Sequence, residues 1–412
     1  RQFDAYWGRD SDASPMPINH TLDTFTHEQF SAELRISGQL FDERMDWTAG
    51  YFYYDADDMN SNISVLMPCL FGTSCYDRVD NVNTENSGIF VNTNTRLTDQ
   101  LTLTVGLRRT EDTKTILQER FLWSGANFWV PAPVEAKATQ TNPMVSLSYQ
   151  FTDEIMFYST WQEGFRGGGT TARPTPTTRV PFGPETLENL EFGIKSDWFD
   201  NRLRVNATYF DMTYSEMQIG GAGRDEANNV AWLTTNGGEA EISGLELNVD
   251  ATIGEHWQLD ATVGTIDFQF VDLAFSDPAT RIALGLSPGA ATDINSVPGR
   301  TPDLTASLGI AYSTFLPNGS HLRLRYGISY QAETFFGENN DPLTRSPAYS
   351  LSNARATWTS TDEGWESSLF VTNLNDERAI QGRLNFRDLF GSIQTTYVRP
   401  REWGFSIQKN FL

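Results

Sequence analysis

Apolar and polar residues alternate one for one in stretch after stretch of this chain, and that period leaves few folds open. Leu101, Leu103, Val105 and Leu107 alternate with Thr102, Thr104, Gly106 and Arg108. Leu245, Leu247 and Val249 alternate with Glu246, Asn248 and Asp250, and Leu322, Leu324, Tyr326 and Ile328 with Arg323, Arg325, Gly327 and Ser329. A strand turns successive side chains to opposite faces, so each stretch has one apolar and one strongly polar face. Several runs reach the roughly 9–11 residues of a transmembrane strand, where sandwich strands average about 5–6. Arg, Glu, Asp and Asn on the second face suit a wet lumen.

About 15 candidate strands follow, at 28–38, 45–57, 83–97, 99–112, 140–151, 154–164, 186–198, 202–218, 238–253, 256–271, 301–315, 320–333, 347–359, 365–373 and 396–411. Residues 2–8 offer the end of one more. Short turns such as Leu97-Thr-Asp-Gln100, Phe199-Asp-Asn-Arg202 and Leu316-Pro-Asn-Gly-Ser320 take turns with long connections at 58–82, 113–139, 165–185, 219–237, 272–300, 334–346 and 374–395. Short periplasmic turns and long extracellular loops alternate in this way in a transmembrane barrel. The expected fold is all-β, an antiparallel up-and-down transmembrane β-barrel, with residues 1–412 forming one barrel domain. Trp403, Phe405, Ile407 and Phe411 form the outward face of the last strand, which ends at Leu412 on the periplasmic side.

Composition agrees. Mean hydropathy is −0.41, and no stretch approaches the roughly 18 uninterrupted apolar residues of a spanning helix. A barrel escapes that test, because its strands average out in a hydropathy window. The 11 Trp, 14 Tyr and 27 Phe suit membrane interfaces. A net charge of −23 excludes a nucleic-acid partner, since phosphate contacts need Lys and Arg. Cys69 and Cys75 lie in one polar stretch, and a local disulfide between them fits an oxidising compartment. No signal peptide is visible at Arg1, and the chain begins in mid-pattern.

Five stretches in order resemble the barrel of the TonB-dependent receptors. They are Tyr158-Ser-Thr-Trp-Gln-Glu-Gly-Phe165-Arg-Gly-Gly, Pro184-Glu-Thr-Leu-Glu-Asn-Leu-Glu-Phe-Gly-Ile-Lys195, Leu203-Arg-Val-Asn-Ala-Thr-Tyr-Phe-Asp-Met-Thr-Tyr214, Asn236-Gly-Gly-Glu-Ala-Glu-Ile-Ser-Gly-Leu-Glu-Leu247 and Val371-Thr-Asn-Leu-Asn-Asp376. The resemblance implies a 22-stranded barrel around an N-terminal plug, of which these 15 strands would be the last, the plug and first strands lying outside the chain. It implies a receptor and transporter in the outer membrane of a Gram-negative bacterium. Uptake of a scarce nutrient, an iron-siderophore or similar ligand, would be coupled to TonB through the missing N-terminal region. Its surroundings would be outer-membrane lipid and lipopolysaccharide, with the nutrient ligand on the extracellular side.

No catalytic set stands out. His20, His27, His256 and His321 are scattered, and no enzyme activity and no cofactor are expected. Asp55, Asp57 and Asp58 lack the Gly and terminal Glu of a calcium loop and read as a solvated acidic stretch, so no metal site is expected. Gly167, Gly168 and Gly169 lack the Lys-Ser/Thr ending of a phosphate loop and read as a flexible loop root. Arg166 and Arg173 in that loop are candidates to meet an anionic ligand or to pair with acidic neighbours. Trp123, Phe128, Trp129, Trp232, Phe335 and Phe336 are candidates to stack on a ligand or to anchor and pack loops. Arg108, Arg323, Arg325, Glu246 and Asp250 are expected to face the lumen. The competing functions are a passive porin of about 16 strands and, ranked last, an outer-membrane barrel enzyme.

Overall fold

A computed structural model of the protein describes residues 1–10, 19–66, 75–122, 127–129, 131–171, 181–224, 230–273, 294–337, 340–386 and 392–411. In chain order its strands are β1 (Gln2–Asp10), β2 (Asn19–Leu40), β3 (Met45–Leu66), β4 (Cys75–Arg96), β5 (Leu101–Leu122), β6 (Asn127–Trp129), β7 (Val134–Gln150) and β8 (Ile155–Arg166). Next come β9 (Gly169–Thr170), β10 (Pro181–Phe182), β11 (Glu185–Trp198), β12 (Leu203–Arg224), β13 (Val230–Ile253), β14 (Trp257–Leu273), β15 (Leu304–Phe315) and β16 (His321–Gln331). The last are β17 (Thr334–Phe335), β18 (Arg345–Ser346), β19 (Tyr349–Thr359), β20 (Trp365–Thr372), β21 (Ile380–Phe386), β22 (Ser392–Tyr397) and β23 (Glu402–Lys409). Among the described residues no helix is long and apolar enough to cross a membrane.

One 17-stranded antiparallel sheet forms the wall. It runs as a meander from β1 through β2, β3, β4, β5, β7, β8, β11, β12, β13, β14, β15, β16, β19 and β20 to β23, with the three-residue β6 added beside β5. The meander therefore has 16 strands, one more than the 15 counted from alternation. The addition is Gln2–Asp10, every residue of which pairs with β2, from Gln2 opposite Glu28 to Asp10 opposite His20.

Register lines the apolar residues of neighbouring strands up on one face. Leu34 lies opposite Tyr51 and Tyr51 opposite Ile89. Val105 faces Val145, Phe192 faces Tyr209, and Tyr209 faces Leu245. Ile310 faces Tyr326, Ala356 faces Leu369, and Leu369 faces Phe405. These side chains are exposed: Leu34 by 67%, Ile89 by 58% and Phe405 by 66%. So large a continuous apolar surface cannot face water. In lipid it is the stable arrangement, because backbone groups are satisfied within the ladders and the outward side chains match the solvent.

The opposite face is polar. Arg108 lies opposite Phe90, Arg325 opposite Ala311, and Glu246 opposite Thr208. Arg325 forms a 2.8 Å ion pair with Asp260. Rings on this face lie flat over neighbouring glycines. A Cβ on Gly50 would come within 2.5 Å of Phe90 Cζ, and the guanidinium carbon of Arg108 stands 5.9 Å from the centre of the same ring. A side chain at Gly50 would evict the ring and the cation resting on it.

The strands are longer than alternation indicates. β2, β3, β4, β5 and β12 each have 22 residues, about twice the 9–11 of a membrane crossing. Residues 58–66 and 75–82, expected in a loop, continue the β3–β4 ladder with Asp58 opposite Val82 and Val65 opposite Cys75. Beyond the bilayer both faces of a strand meet water, so the apolar alternation ends while the hydrogen-bond ladder goes on. The expected loop at 374–395 likewise contains the β21–β22 hairpin.

Candidate ligand-binding mouth of the barrel

At the long-loop end a short strap folds across the polar face. It consists of Arg166–Thr171 and residues 181–184, drawn together by the pairing of β9 with β10. Both sides of the wall hold it. From β5, Lys114 Nζ donates to the Gly168 carbonyl at 3.2 Å and Gln118 Nε2 to the Thr171 carbonyl at 3.0 Å. From β12, Gln218 Nε2 donates to the carbonyls of Gly167 and Gly183 at 3.1 and 3.0 Å. From β13, Asn236 Oδ1 accepts from the Gly183 amide at 2.5 Å and Asn236 Nδ2 donates to its carbonyl at 3.1 Å. Lys114 and Gln118 share the parity of Arg108 on β5, so the strap lies on the lumen side.

The three glycines are packed. A Cβ on Gly167 would overlap the Asp112 carboxylate, and one on Gly168 would overlap the Phe182 backbone carbonyl. This corrects the expectation of a flexible root: only glycine lets this backbone approach β5 and β10 so closely. Arg166 makes a 2.9 Å ion pair with Glu185. Of the two roles open to it, the structure shows the pairing with an acidic neighbour. Glu185 is 7% exposed at its side chain, and its other oxygen accepts the Gln218 amide at 2.7 Å. Glu185 thus joins Arg166 to β12.

Gln218 also borders a cavity of about 330 Å³ lined by Met217, Gln218, Ile219, Gly220, Phe270, Pro298, Gly299, Arg300 and Phe336. Ile219 and Phe270 of its lining belong to a buried apolar cluster with Ala240 and Leu273. The Arg300 guanidinium carbon stands 5.5 Å from the centre of the Phe336 ring. The Arg300 amide donates to the Phe335 carbonyl at 2.7 Å, and Arg300 has φ of 65°. Asn340 grips Val297 at both its amide (2.9 Å) and its carbonyl (2.8 Å). Phe335 itself pairs with Arg345 across β17 and β18.

On the far side of the mouth, Asp80 forms ion pairs with Arg78 at 3.0 Å and with Arg120 at 2.8 Å. The Arg120 guanidinium carbon lies 5.8 Å from the Trp129 ring centre, so Trp129 is used in packing a cation. Above the apolar band His27 Nδ1 lies 2.6 Å from Asp58 and Nε2 lies 3.0 Å from the Gln29 amide oxygen. The hydrogen bond to Gln29, then that to Asp58, raises the His27 pKa above its ordinary value. Asp57 binds Asn83 at 3.0 Å, and consecutive side chains on a strand diverge. Asp57 and Asp58 therefore serve different partners, and among the described residues no His, Cys, Asp and Glu group is arranged to hold a metal ion.

The structure thus links Arg166, through Glu185 and Gln218, to the cavity that Phe336 lines. Trp129 stands apart, with Arg120. Trp232 has its backbone in β13 opposite Ala222, and its side chain lies outside the described residues, as does that of Phe128. Trp123, Arg173 and Cys69 also lie outside them, and so does the proposed Cys69–Cys75 bridge. Sequence reading missed Gln118, Gln218, Asn236 and Arg300. No local pattern marks Gln118 or Gln218, and Asn236 heads one of the five stretches above without any sign there of a brace. Arg300, in a Pro-Gly-Arg turn, offered only a turn signal.

The profile of the family described as TonB dependent receptor-like, beta-barrel, matches residues 2–374. The fold is similar to that of the ferric yersiniabactin uptake receptor FyuA of Yersinia pestis, at TM-score 0.78 and 18% identity over 97% of this chain and 56% of that one. It is similar to the copper transporter OprC, at 0.73 and 14% identity over 100% of this chain and 61% of that one. It is also similar to the siderophore receptor PiuA of Acinetobacter baumannii, at 0.69 and 17% identity over 94% of this chain and 56% of that one. The chain spans little more than half the length of these solved proteins. With its strand order, its outward apolar face and a family match over most of its length, the chain belongs to the TonB-dependent receptors, as part of their β-barrel.

Proposed function

We propose that this chain is the larger part of the barrel of an outer-membrane receptor that imports a scarce nutrient by coupling to TonB. Its long loops face the outside. The ligand is a metal chelate of the iron-siderophore kind, bound from the extracellular side. The observation that carries this reading is the braced mouth: a strap and a walled cavity at the long-loop end of a barrel of this family. A porin of 16 strands would close by pairing β1 with β23, and among the described residues those two edges form no ladder with each other. We take the remaining strands, and a plug carrying the TonB contact, to complete the wall and fill the lumen. Outer-membrane lipid and lipopolysaccharide would cover the apolar band.

The test is uptake by intact cells of radiolabelled ferric chelates, with the full-length receptor present or deleted and with TonB present or deleted. Receptor-dependent uptake of at least one chelate should fall about tenfold or more without TonB. Receptor-dependent entry that persists unchanged without TonB would establish a passive channel instead.

A further inference from the structure

Among the described residues the cavity beside the strap has one charge in its lining, and it is positive. Met217, Ile219, Phe270 and Phe336 supply apolar walls, while Arg300 supplies the cation. Both amide hydrogens of Gln218 are committed to the strap carbonyls, so Gln218 brings no donor to the cavity. Among the described residues Arg300 makes no ion pair with a carboxylate, in a chain carrying 53 acidic and 30 basic side chains. Its guanidinium rests on the Phe336 ring instead. That contact holds the plane of the group in place and leaves its edge donors for an acceptor.

The position is set in advance. The Arg300 amide is tied to Phe335, Asn340 clamps Val297 from both sides, and a Cβ on Gly299 would come within 3.1 Å of the Phe336 carbonyl. A left-handed φ of 65° at a non-glycine residue costs energy that the surrounding clamps offset. A loop fixed in this way loses little entropy when a ligand arrives.

We propose that this cavity is a binding subsite for a planar aromatic group bearing an anionic oxygen, such as a carboxylate. The ring would lie among Met217, Phe270 and Phe336, and the oxygens would meet the edge of Arg300. An ammonium would find no carboxylate in the lining, and a neutral ring would leave the guanidinium unanswered. The volume of about 330 Å³ is at the low end of ligand pockets, roughly 300–1,000 Å³, so it admits one arm of a larger ligand. The inference rests on the receptor reading only for the ligand's delivery; binding in the cavity needs no TonB.

The test is saturation-transfer NMR titration of the full-length receptor in detergent micelles, with benzoate as probe and benzylamine and benzyl alcohol as comparators. Benzoate should bind saturably with Kd on the order of 1 mM, as expected of a fragment of this size, and benzylamine should not. Arg300→Gln should weaken benzoate about tenfold and benzyl alcohol less than twofold, while Arg300→Lys recovers part of the loss. Phe336→Leu should weaken both ring probes. Each variant should keep the wild type's heat-shifted mobility on gels, the sign of an intact barrel. Absence of saturable benzoate binding, or equal affinity in wild type and Arg300→Gln, overturns the proposal. Benzoate binding that depends on Arg300 in a protein whose uptake ignores TonB would keep the subsite and discard the transport reading.

Discussion

At the scale of single residues, the mouth is built from side chains that satisfy backbone groups. Gln118, Gln218 and Asn236 spend their amides on strap carbonyls, while Arg166 and Arg120 spend their charge on Glu185 and Asp80. His27 carries the type of side chain that changes charge in the physiological pH range. Both of its ring nitrogens face acceptors, Asp58 and Gln29, an arrangement that favours the doubly protonated ring. Its folded pKa is raised above the ordinary 6.5, so its contribution to stability is complete below that value. The contribution is lost as pH rises through the folded pKa. Gln29→Ala and Asp58→Asn should each bring the His27 pKa down towards 6.5, read by NMR titration of the imidazole. A titration unchanged in both variants would show that neither partner holds the proton.

The element that most distinguishes this barrel mouth is the strap. Side chains from β5 on one side and from β12 and β13 on the other hold it, so it bridges strands that are not neighbours in the sheet. Each side chain–carbonyl hydrogen bond contributes about 1 kcal/mol net. Loss of the three that Gln118 and Gln218 make should shift local opening by about tenfold or more. Gln118→Ala combined with Gln218→Ala should therefore speed tryptic cleavage after Arg166 about tenfold in the folded receptor, followed by mass spectrometry of the fragments. The barrel's heat-shifted gel mobility should be retained. A cleavage rate equal to wild type would mean that the β9–β10 pairing and the packed glycines hold the strap unaided. The long β2–β5 strands teach a related lesson: beyond the bilayer the ladder persists without an apolar face, so elements that look like loops in sequence are hairpins.

For the whole molecule, the proposed orientation can be checked directly. A short epitope inserted after Asn318, in a short turn, should be invisible to antibody on intact cells. The same epitope inserted after Arg387, in the connection between β21 and β22, should be stained, and both should be stained after the outer membrane is opened. The reverse pattern would invert the barrel. Alternation, together with the succession of short turns and long connections, determined the fold class, the outward apolar residues and nearly every wall strand, because a strand between lipid and water must alternate wherever it crosses the bilayer. It missed Gln2–Asp10 as a full strand and stopped β2–β5 short, because outside the bilayer nothing forces the pattern. The site was less legible. Phe336 could be named as a loop aromatic, but its partner Arg300 lies 36 residues earlier in sequence, and Gln218 comes from another hairpin. Only the curvature and register of the wall decide that β5, β12 and β13 converge on one strap and that Arg300 rests on Phe336. Such contacts join residues far apart in the chain, and they leave no local period to read.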